Sequence, residues 1–197
     1  MRHRRGVSQQ AKYGKMKVKI IDRLKRFEGG ITMAYQNILV GIDGSKQSEM
    51  AFDKAVEIAK QNNAKLHLIS VVNGERYPNT DTVGYGFVDQ SIYEAATKRM
   101  KKTLDHFKDS AEKDGVKEVT ATVKIGNAKV EVAEEYPKKN NIDLIVVGAT
   151  GLNMVGRVIV GSTAAYVVRV APCDVIVVKT DHDNHTINIK SASYPQI

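Results

Sequence analysis

A chain of 197 residues, 42% of them hydrophobic, is long enough for one domain with a substantial core. Its net charge of +8 comes entirely from residues 1–32, because residues 33–197 carry twenty basic and twenty acidic side chains. A globular part without basic excess gives no electrostatic reason to bind nucleic acid, and no apolar run reaches the length of a membrane helix. The single cysteine, Cys173, excludes an internal disulfide and fits a reducing compartment. We therefore expect a cytoplasmic protein that binds neither nucleic acid nor a membrane.

The basic leader, residues 1–32, allows three interpretations: an arm for nucleic acid or a membrane surface, a targeting peptide, or a segment that precedes the true start. No apolar stretch long enough for a secretory signal follows its charges, and an amphipathic helix that includes Leu24 and Phe27 would be only weakly periodic. We favour a start at Met33, because Met33 leads directly into the first predicted strand. We expect a disordered or wrongly assigned leader at 1–32, a domain at 33–180 and a polar tail at 181–197.

Alternating strand and helix patterns run through residues 37–179 and predict parallel strand-helix-strand units. Ser45 and Ser162 are the predicted N-caps of the first and last helices, and Pro137 is expected to end or bend the third helix early. Residues 73–88 show no periodicity and are predicted to form a long functional or mobile loop. The predicted strands are 37–42, 66–72, 119–125, 142–147 and 175–179, and the predicted helices are 46–61, 90–113, 129–139 and 163–170.

Right-handed crossovers allow the five predicted strands to form a doubly wound parallel sheet in the order 3-2-1-4-5, with helices on both faces. In this α/β fold the chain changes direction between strands 1 and 4, so that a crevice opens at their carboxyl ends. Asp43 follows strand 1 and Gly148 ends strand 4. The predicted topology therefore brings two distant segments of the chain to the place where such sheets bind ligands.

The segment Gly148-Ala149-Thr150-Gly151 is followed, after nine residues, by Gly161-Ser162. Glycines let the backbone turn sharply and approach a ligand, and the first amides of the helix after Ser162 can bind an anion. The pattern thus predicts phosphate binding by main-chain amides. A plainer interpretation is that the glycines only form a turn and Ser162 only caps a helix, which explains each residue but not the spacing.

This G-x2-G-x9-G-[ST] pattern resembles the nucleotide-binding signature of the universal stress protein family, specifically its ATP-binding branch. The segment from Asn37 to Ser45 is similar to the family's first strand and acidic turn, and the segment from Ala171 to Val178 is similar to its last helix-to-strand passage. The similarity extends from about Met33 to Lys179. It implies the same strand order, with ATP or another adenine nucleotide as the ligand and Mg²⁺ as a companion of bound ATP.

The resemblance also implies roles for individual residues. Asp43 would accept hydrogen bonds from the ligand or help to hold a divalent cation, with Gly41 beside it at the end of the first strand. The backbone of Val71 would meet the adenine. The ribose and phosphates would be wrapped by Gly148, Gly151, Gly161 and Ser162, with Thr163 as a further amide donor.

Two further implications concern phosphate charge and assembly. Thr150 stands where many members of the family have a basic residue, and Arg157, inside the nine-residue loop, could supply that charge instead.

The resemblance also implies a homodimer, in which the strands from Val175 to Lys179 of two subunits pair antiparallel. The physical reason is that an apolar edge strand needs a cover.

Three functions are compatible with these residues. The first is an ATP-binding stress protein that acts as a nucleotide-dependent regulator of an unknown protein partner. The second is a slow ATPase or phosphotransferase, and the third is a nucleotide-free dimeric scaffold. We favour the first, because binding residues without an evident general base or arginine finger would give affinity with little transition-state stabilisation.

Histidines offer only weak alternatives. His182, Asp183 and His185 could bind a metal, but they lie in the polar tail without a scaffold. His67, in the second strand, and His106, on the long helix, are expected to pack in the interior or to face solvent.

Overall fold

The computed structural model describes residues 24–27, 30–73, 90–151 and 160–179. The chain divides into two compact units, Met1–Tyr35 and Gln36–Ile197. The first unit contains an antiparallel hairpin of β1 (Leu24–Phe27) and β2 (Gly30–Met33). Leu24 and Phe27 therefore lie in a strand and not in a helix. Residues 1–23, 28 and 29 lie outside the described residues. Whether the leader belongs to the native protein stays a prediction.

The second unit is built on a five-stranded parallel sheet in the order β5-β4-β3-β6-β7. This is the predicted order 3-2-1-4-5, so the doubly wound α/β fold is confirmed. The last strand begins and ends one residue earlier than predicted. Its five strands are β3 (Asn37–Gly41), β4 (Lys65–Asn73), β5 (Val119–Gly126), β6 (Leu144–Gly148) and β7 (Asp174–Val178).

Helices cover both faces of the sheet. On one face, α1 (Lys46–Asn62) and α2 (Gln90–Lys113) meet where Phe52 packs edge to face on Phe107, with ring centroids 4.7 Å apart. The predicted N-cap Ser45 is confirmed, because its side chain accepts a hydrogen bond from the Ser48 amide at 3.2 Å. The opposite face carries α3 (Ala128–Val130), a π-helical turn (Glu131–Glu135), α4 (Tyr136–Lys139) and α5 (Ser162–Val170).

Of the two outcomes predicted for the third helix at Pro137, an early end or a bend, the early end is wrong. Helical structure continues from Ala128 to Lys139, and the irregularity is the π-helical turn just before the proline. In that turn the Tyr136 amide donates to the Glu131 carbonyl, five residues back. A proline ring collides with the carbonyl four residues earlier in an α-helix. The wider π turn accommodates Pro137 without stopping the helix.

The core under this second helical layer holds the site in place. Leu39 and Ile145, from the two central strands, are fully buried there against the helices. The start of the sheet is fixed by a buried carboxylate, because Asp143 accepts hydrogen bonds from the Gln36 amide at 2.8 Å and the Asn37 amide at 3.1 Å. The carboxyl ends of β3 and β6 are thereby set in register side by side.

Candidate functional site

A cavity of about 580 Å³ opens at the carboxyl edge of the sheet, between the central strands and the layer of α3, the π turn and α5. Its volume lies in the range that proteins use for small-molecule ligands. It is lined by Gly41, Ile42, Asp43, Ser48, Ile69, Val71, Ala128, Val132, Val147, Gly148, Ala149, Thr150, Gly151, Gly161, Ser162, Thr163 and Ala164.

Every residue predicted to bind a nucleotide lines this one cavity: Gly41, Asp43, Val71, Gly148, Thr150, Gly151, Gly161, Ser162 and Thr163. Their roles toward a ligand stay predictions. Arg157 lies outside the described residues. Of the described residues that line the cavity, Asp43 is the only charged one.

The cavity has an apolar end above β4. Ile69 and Val71 form its floor there, and Ala128 and Val132 form the adjacent wall on α3 and the π turn. The floor is open at β3, because a Cβ built on Gly41 would meet no atom within 4 Å in the described part of the chain. An aromatic base of modest size fits such a surface.

The other end, above β6, is made of backbone. The Gly161 amide donates to the Ala149 carbonyl at 2.6 Å, which ties the two halves of the glycine motif together. Gly161 has extended dihedral angles (φ −71°, ψ 162°) and accepts a hydrogen bond at its carbonyl from the Ala165 amide at 2.9 Å. Gly161 is thus the N-cap of α5, and the prediction that Ser162 caps this helix is wrong. Ser162 and Thr163 instead occupy the first turn, where amides lack helical partners.

Asp43 joins the glycine loop to the first turn of α1. Its Oδ1 accepts hydrogen bonds from the Ser45 amide at 2.9 Å and from the Ser45 hydroxyl at 2.6 Å. A Cβ built on Gly151 would lie 2.5 Å from its other oxygen, Oδ2. Between Asp43 and Ser45, Gly44 has φ +83°, a backbone conformation that favours glycine. The carboxylate is therefore held at the meeting point of two segments, with Oδ2 toward the loop.

Gly148 has a packing role that the sequence did not reveal. A Cβ on this residue would lie 2.9 Å from the backbone carbonyl carbon and oxygen of Gln47 and from the Gln47 Cβ. Gln47 is buried in the first turn of α1, so the backbone would have to move. Gly148 lets α1 approach β6 closely, and the ligand is not the only reason for a glycine here.

We expect Gly148→Ala to destabilise the protein by about 1–3 kcal/mol, because the methyl group overpacks a contact with backbone atoms. The measurement is chemical denaturation without ligand. Thr150→Ala, in the same loop, is the control and is expected to leave the free energy of unfolding nearly unchanged. Equal stabilities for Gly148→Ala and wild type would contradict the packing role.

Several lining residues escaped prediction, notably Ser48, Ala128 and Val132. Ala128 and Val132 lie one helical turn apart at the start of the helix after β5, and so share one face. That spacing is a usable signal, because the helix begins at the carboxyl edge where the ligand crevice was predicted. Ser48 sits in the first turn of α1, where its hydroxyl donates to the Ser45 carbonyl at 2.8 Å.

His67 packs in the interior, one of the two outcomes predicted for it. Its ring is buried in β4, with Nδ1 3.1 Å from the Thr120 hydroxyl and 3.3 Å from the Tyr136 hydroxyl. Nε2 is buried without a hydrogen-bond partner among the described residues. Burial lowers the pKa of His67 to about 4, helped by the positive charge of Lys65. His106 is exposed on α2.

Side chains that commonly bind metal ions do not cluster in the described ranges. No group of three His, Cys, Asp or Glu residues there is close enough to hold an ion. His182, Asp183 and His185 lie outside these ranges. No helix in the described parts of the chain is both long and apolar enough to cross a bilayer.

Comparison with known proteins gives consistent results. The family model described as "Universal stress protein family" matches residues 34–179. A protein of Staphylococcus aureus (strain USA300), named as a universal stress protein, is 38% identical over 149 residues, or 76% of this chain and 87% of that protein. The solved structure of universal stress protein UspA from Lactobacillus plantarum is 33% identical, with a TM-score of 0.64 over 74% of this chain and 99% of that one. A universal stress protein solved in complex with cAMP is 28% identical, with a TM-score of 0.53 over 74% of this chain and 98% of that one.

Proposed function

The chain belongs to the universal stress protein family, and from that premise we propose that it is a cytoplasmic ATP-binding protein that acts as a nucleotide-dependent regulator in a stress response. The observation that carries the proposal is a cavity in which an apolar end on β4 continues into a backbone cradle on β6. The single cysteine, Cys173, fits a reducing cytoplasm.

An adenine nucleotide fits the two ends of the cavity. The apolar end offers Ile69, Val71 and Val132 to the base, and the cradle offers main-chain amides and the first turn of α5 to phosphates. The strands β4 and β6 flank β3, so that roughly 10 Å separates the two ends, a distance that a ribose can bridge. Asp43 would contact the ribose or, with bound triphosphate, help to hold Mg²⁺ through Oδ2.

The comparison with known structures supports the adenine part of this proposal. A relative that is 28% identical was solved in complex with cAMP, so an adenine nucleotide is a ligand of that protein. For the triphosphate part we rely on the two described halves of the glycine motif, which are tied together by the bond from the Gly161 amide to the Ala149 carbonyl and both line the cavity.

Regulation is a better match to this site than rapid catalysis. Asp43 is the only carboxylate among the described lining residues, and its Oδ1 already accepts two hydrogen bonds from Ser45. A general base must reach the proton of an attacking water, and one engaged oxygen leaves Asp43 less free to do so. We therefore propose that bound nucleotide acts mainly as a signal that a protein partner detects.

Mass spectrometry of the small molecule that co-purifies with the protein tests the proposed function. We expect an adenine nucleotide in the wild-type protein and much less in Gly151→Ala, because the added Cβ would lie 2.5 Å from Asp43 Oδ2. Val168→Ala, on the exposed side of α5, is the control that should keep its ligand. A chain that carries no nucleotide and binds none when ATP is added would contradict the proposal.

We also propose a homodimer joined through the edge of the sheet at β7. Among the described residues, β7 pairs only with β6, and its four apolar residues are half-buried. An apolar edge strand without a cover invites pairing with another chain. Sedimentation analysis is expected to give twice the chain mass of 21.7 kDa, and Ile176→Lys to give the monomer. A monomeric wild-type protein at micromolar concentration would contradict this proposal.

A further inference from the structure

A polar cluster with a buried histidine and a buried tyrosine lies beneath the apolar end of the cavity. It consists of His67 on β4, Thr120 and Thr122 on β5, and Tyr136 on α4. We infer that Tyr136 is a positioning residue, which this cluster holds so that the π turn stands at the right distance from β4 to receive an adenine base. The inference rests on the proposed function. It adds which residue sets the affinity of the cavity's apolar end for the adenine base.

The hydrogen bonds of the cluster converge on the Tyr136 hydroxyl. This oxygen is 3.3 Å from His67 Nδ1 and 3.3 Å from the Thr122 hydroxyl, and Nδ1 is in turn 3.1 Å from the Thr120 hydroxyl. The His67 and Tyr136 rings meet edge to face with centroids 5.9 Å apart. Side chains from two adjacent strands thus fasten one tyrosine, and with it one helix, to the sheet.

The cluster has a defined protonation pattern. His67 is 5% exposed and Tyr136 is 7% exposed, so that unpaired donors in this place cost free energy. Nε2 has no acceptor among the described residues. A proton on Nδ1 faces oxygen atoms of Thr120 and Tyr136, whereas a proton on Nε2 would be a buried donor without a partner. The neutral tautomer with its proton on Nδ1 is therefore the one that completes the cluster.

Tyr136 transmits this anchorage to the cavity through the π turn. Its amide closes the turn by donating to the Glu131 carbonyl. Val132, which lines the cavity, lies four residues before Tyr136, and both side chains pack into the same core cluster. The side chain that contacts the ligand space and the side chain that contacts the polar cluster are therefore held by the same packing. A shift of the tyrosine ring would move the cavity wall.

Removal of the hydroxyl separates this role from simple packing. Tyr136→Phe keeps the ring and its edge-to-face contact but leaves His67 Nδ1 and Thr122 without the bridging oxygen. The turn then loses its contact with the Thr122 hydroxyl on β5, and we expect its distance from Val71 to be less well defined. We expect the affinity for ATP to fall about five- to tenfold, which corresponds to about 1–1.4 kcal/mol. The affinity for inorganic tripolyphosphate, which occupies only the backbone cradle, should not change.

Calorimetric titration of the full chain with ATP and with tripolyphosphate tests the inference, together with hydrogen exchange of the amides in Glu131–Glu135. The expected result for Tyr136→Phe is weaker ATP binding, unchanged tripolyphosphate binding and faster exchange in the π turn. Thr122→Val removes a different partner of the same hydroxyl and should act in the same direction. Tyr93→Phe is the matched control, because it removes a hydroxyl from α2, of which no described residue lines the cavity.

Two outcomes would overturn the inference: unchanged ATP affinity in both Tyr136→Phe and Thr122→Val, or an equal fall for ATP and tripolyphosphate, which would indicate general loosening of the fold. Should Tyr136→Phe fail to fold, Thr122→Val alone decides. Failure of the proposed function is distinguishable, since the wild-type protein would then bind no ATP. In that case unchanged exchange in the π turn of Tyr136→Phe would still count against the positioning role.

Discussion

Gly41→Leu is expected to fold like the wild-type protein and to lose adenine-nucleotide binding, with affinity for ATP lowered roughly a hundredfold or more. The physical reason is steric. A Cβ at Gly41 meets no atom of the described residues within 4 Å, so we expect the new side chain to enter the cavity and fill its floor beside Ile69. A glycine inside a strand also contributes no side-chain packing, so that replacement there has little structural cost.

Two side chains of different size at position 41 serve as controls for each other. Gly41→Ala should keep the free energy of unfolding and reduce ATP affinity only moderately, whereas Gly41→Leu should keep stability and remove binding. Calorimetry gives the affinities, and chemical denaturation without ligand gives the stabilities. Normal ATP binding by a folded Gly41→Leu protein would show that the nucleotide does not occupy this cavity.

Stability is expected to fall by about 3 kcal/mol as the pH falls from 6.5 to 4, on account of His67 alone. The pKa of His67 is lowered to about 4 in the folded protein from an ordinary value of 6.5. Between these values the unfolded chain binds a proton that the folded chain does not, which favours unfolding. The stabilisation is complete above pH 6.5 and is lost toward pH 4. Protonation would place a donor on the buried Nε2, which has no acceptor among the described residues.

Chemical denaturation of His67→Gln and of the wild-type protein across this pH range isolates the contribution of His67 to the free energy of unfolding. The carboxylates contribute equally in both proteins, so their effect cancels in the difference. We expect the variant to have a lower free energy of unfolding than the wild-type protein at pH 7.5. This free energy should also change less between pH 6.5 and pH 4 in the variant. His106→Gln is the matched control, since this histidine is exposed and its loss should leave the dependence unchanged. Parallel curves for His67→Gln and the wild-type protein would contradict the buried, neutral state of His67.

The sequence was sufficient for the sheet and for the edge of the sheet at which the cavity opens. Short continuous apolar runs that alternate with helix patterns, together with right-handed crossovers, predict the strand order, and that order brings Asp43 and Gly148 to one edge. The strand boundaries were nearly right because buried strands are marked by dense β-branched residues. Ser45 was identifiable as a cap because a serine before an apolar stripe has one common local role.

The errors came from backbone detail and from contacts distant in sequence. Serine is a better N-cap than glycine on average, but Gly161 takes the extended conformation and its amide is already bound to Ala149. Pro137 suggested a helix end, because sequence patterns do not show that a π turn can absorb a proline. The approach of Gln47 to Gly148 and the cluster around Tyr136 depend on residues tens of positions apart, which a single sequence does not pair.

Titration of the isotope-labelled protein with saturating Mg-ATP, followed by backbone amide resonances, tests whether a nucleotide binds at the glycine motif. We predict large shifts for the amides of residues 148–151 and 161–163, smaller shifts at Val71 and Val132, and a rise in melting temperature from ligand binding. Unchanged resonances in both halves of the glycine motif, together with an unchanged melting temperature, would contradict nucleotide binding at this cavity.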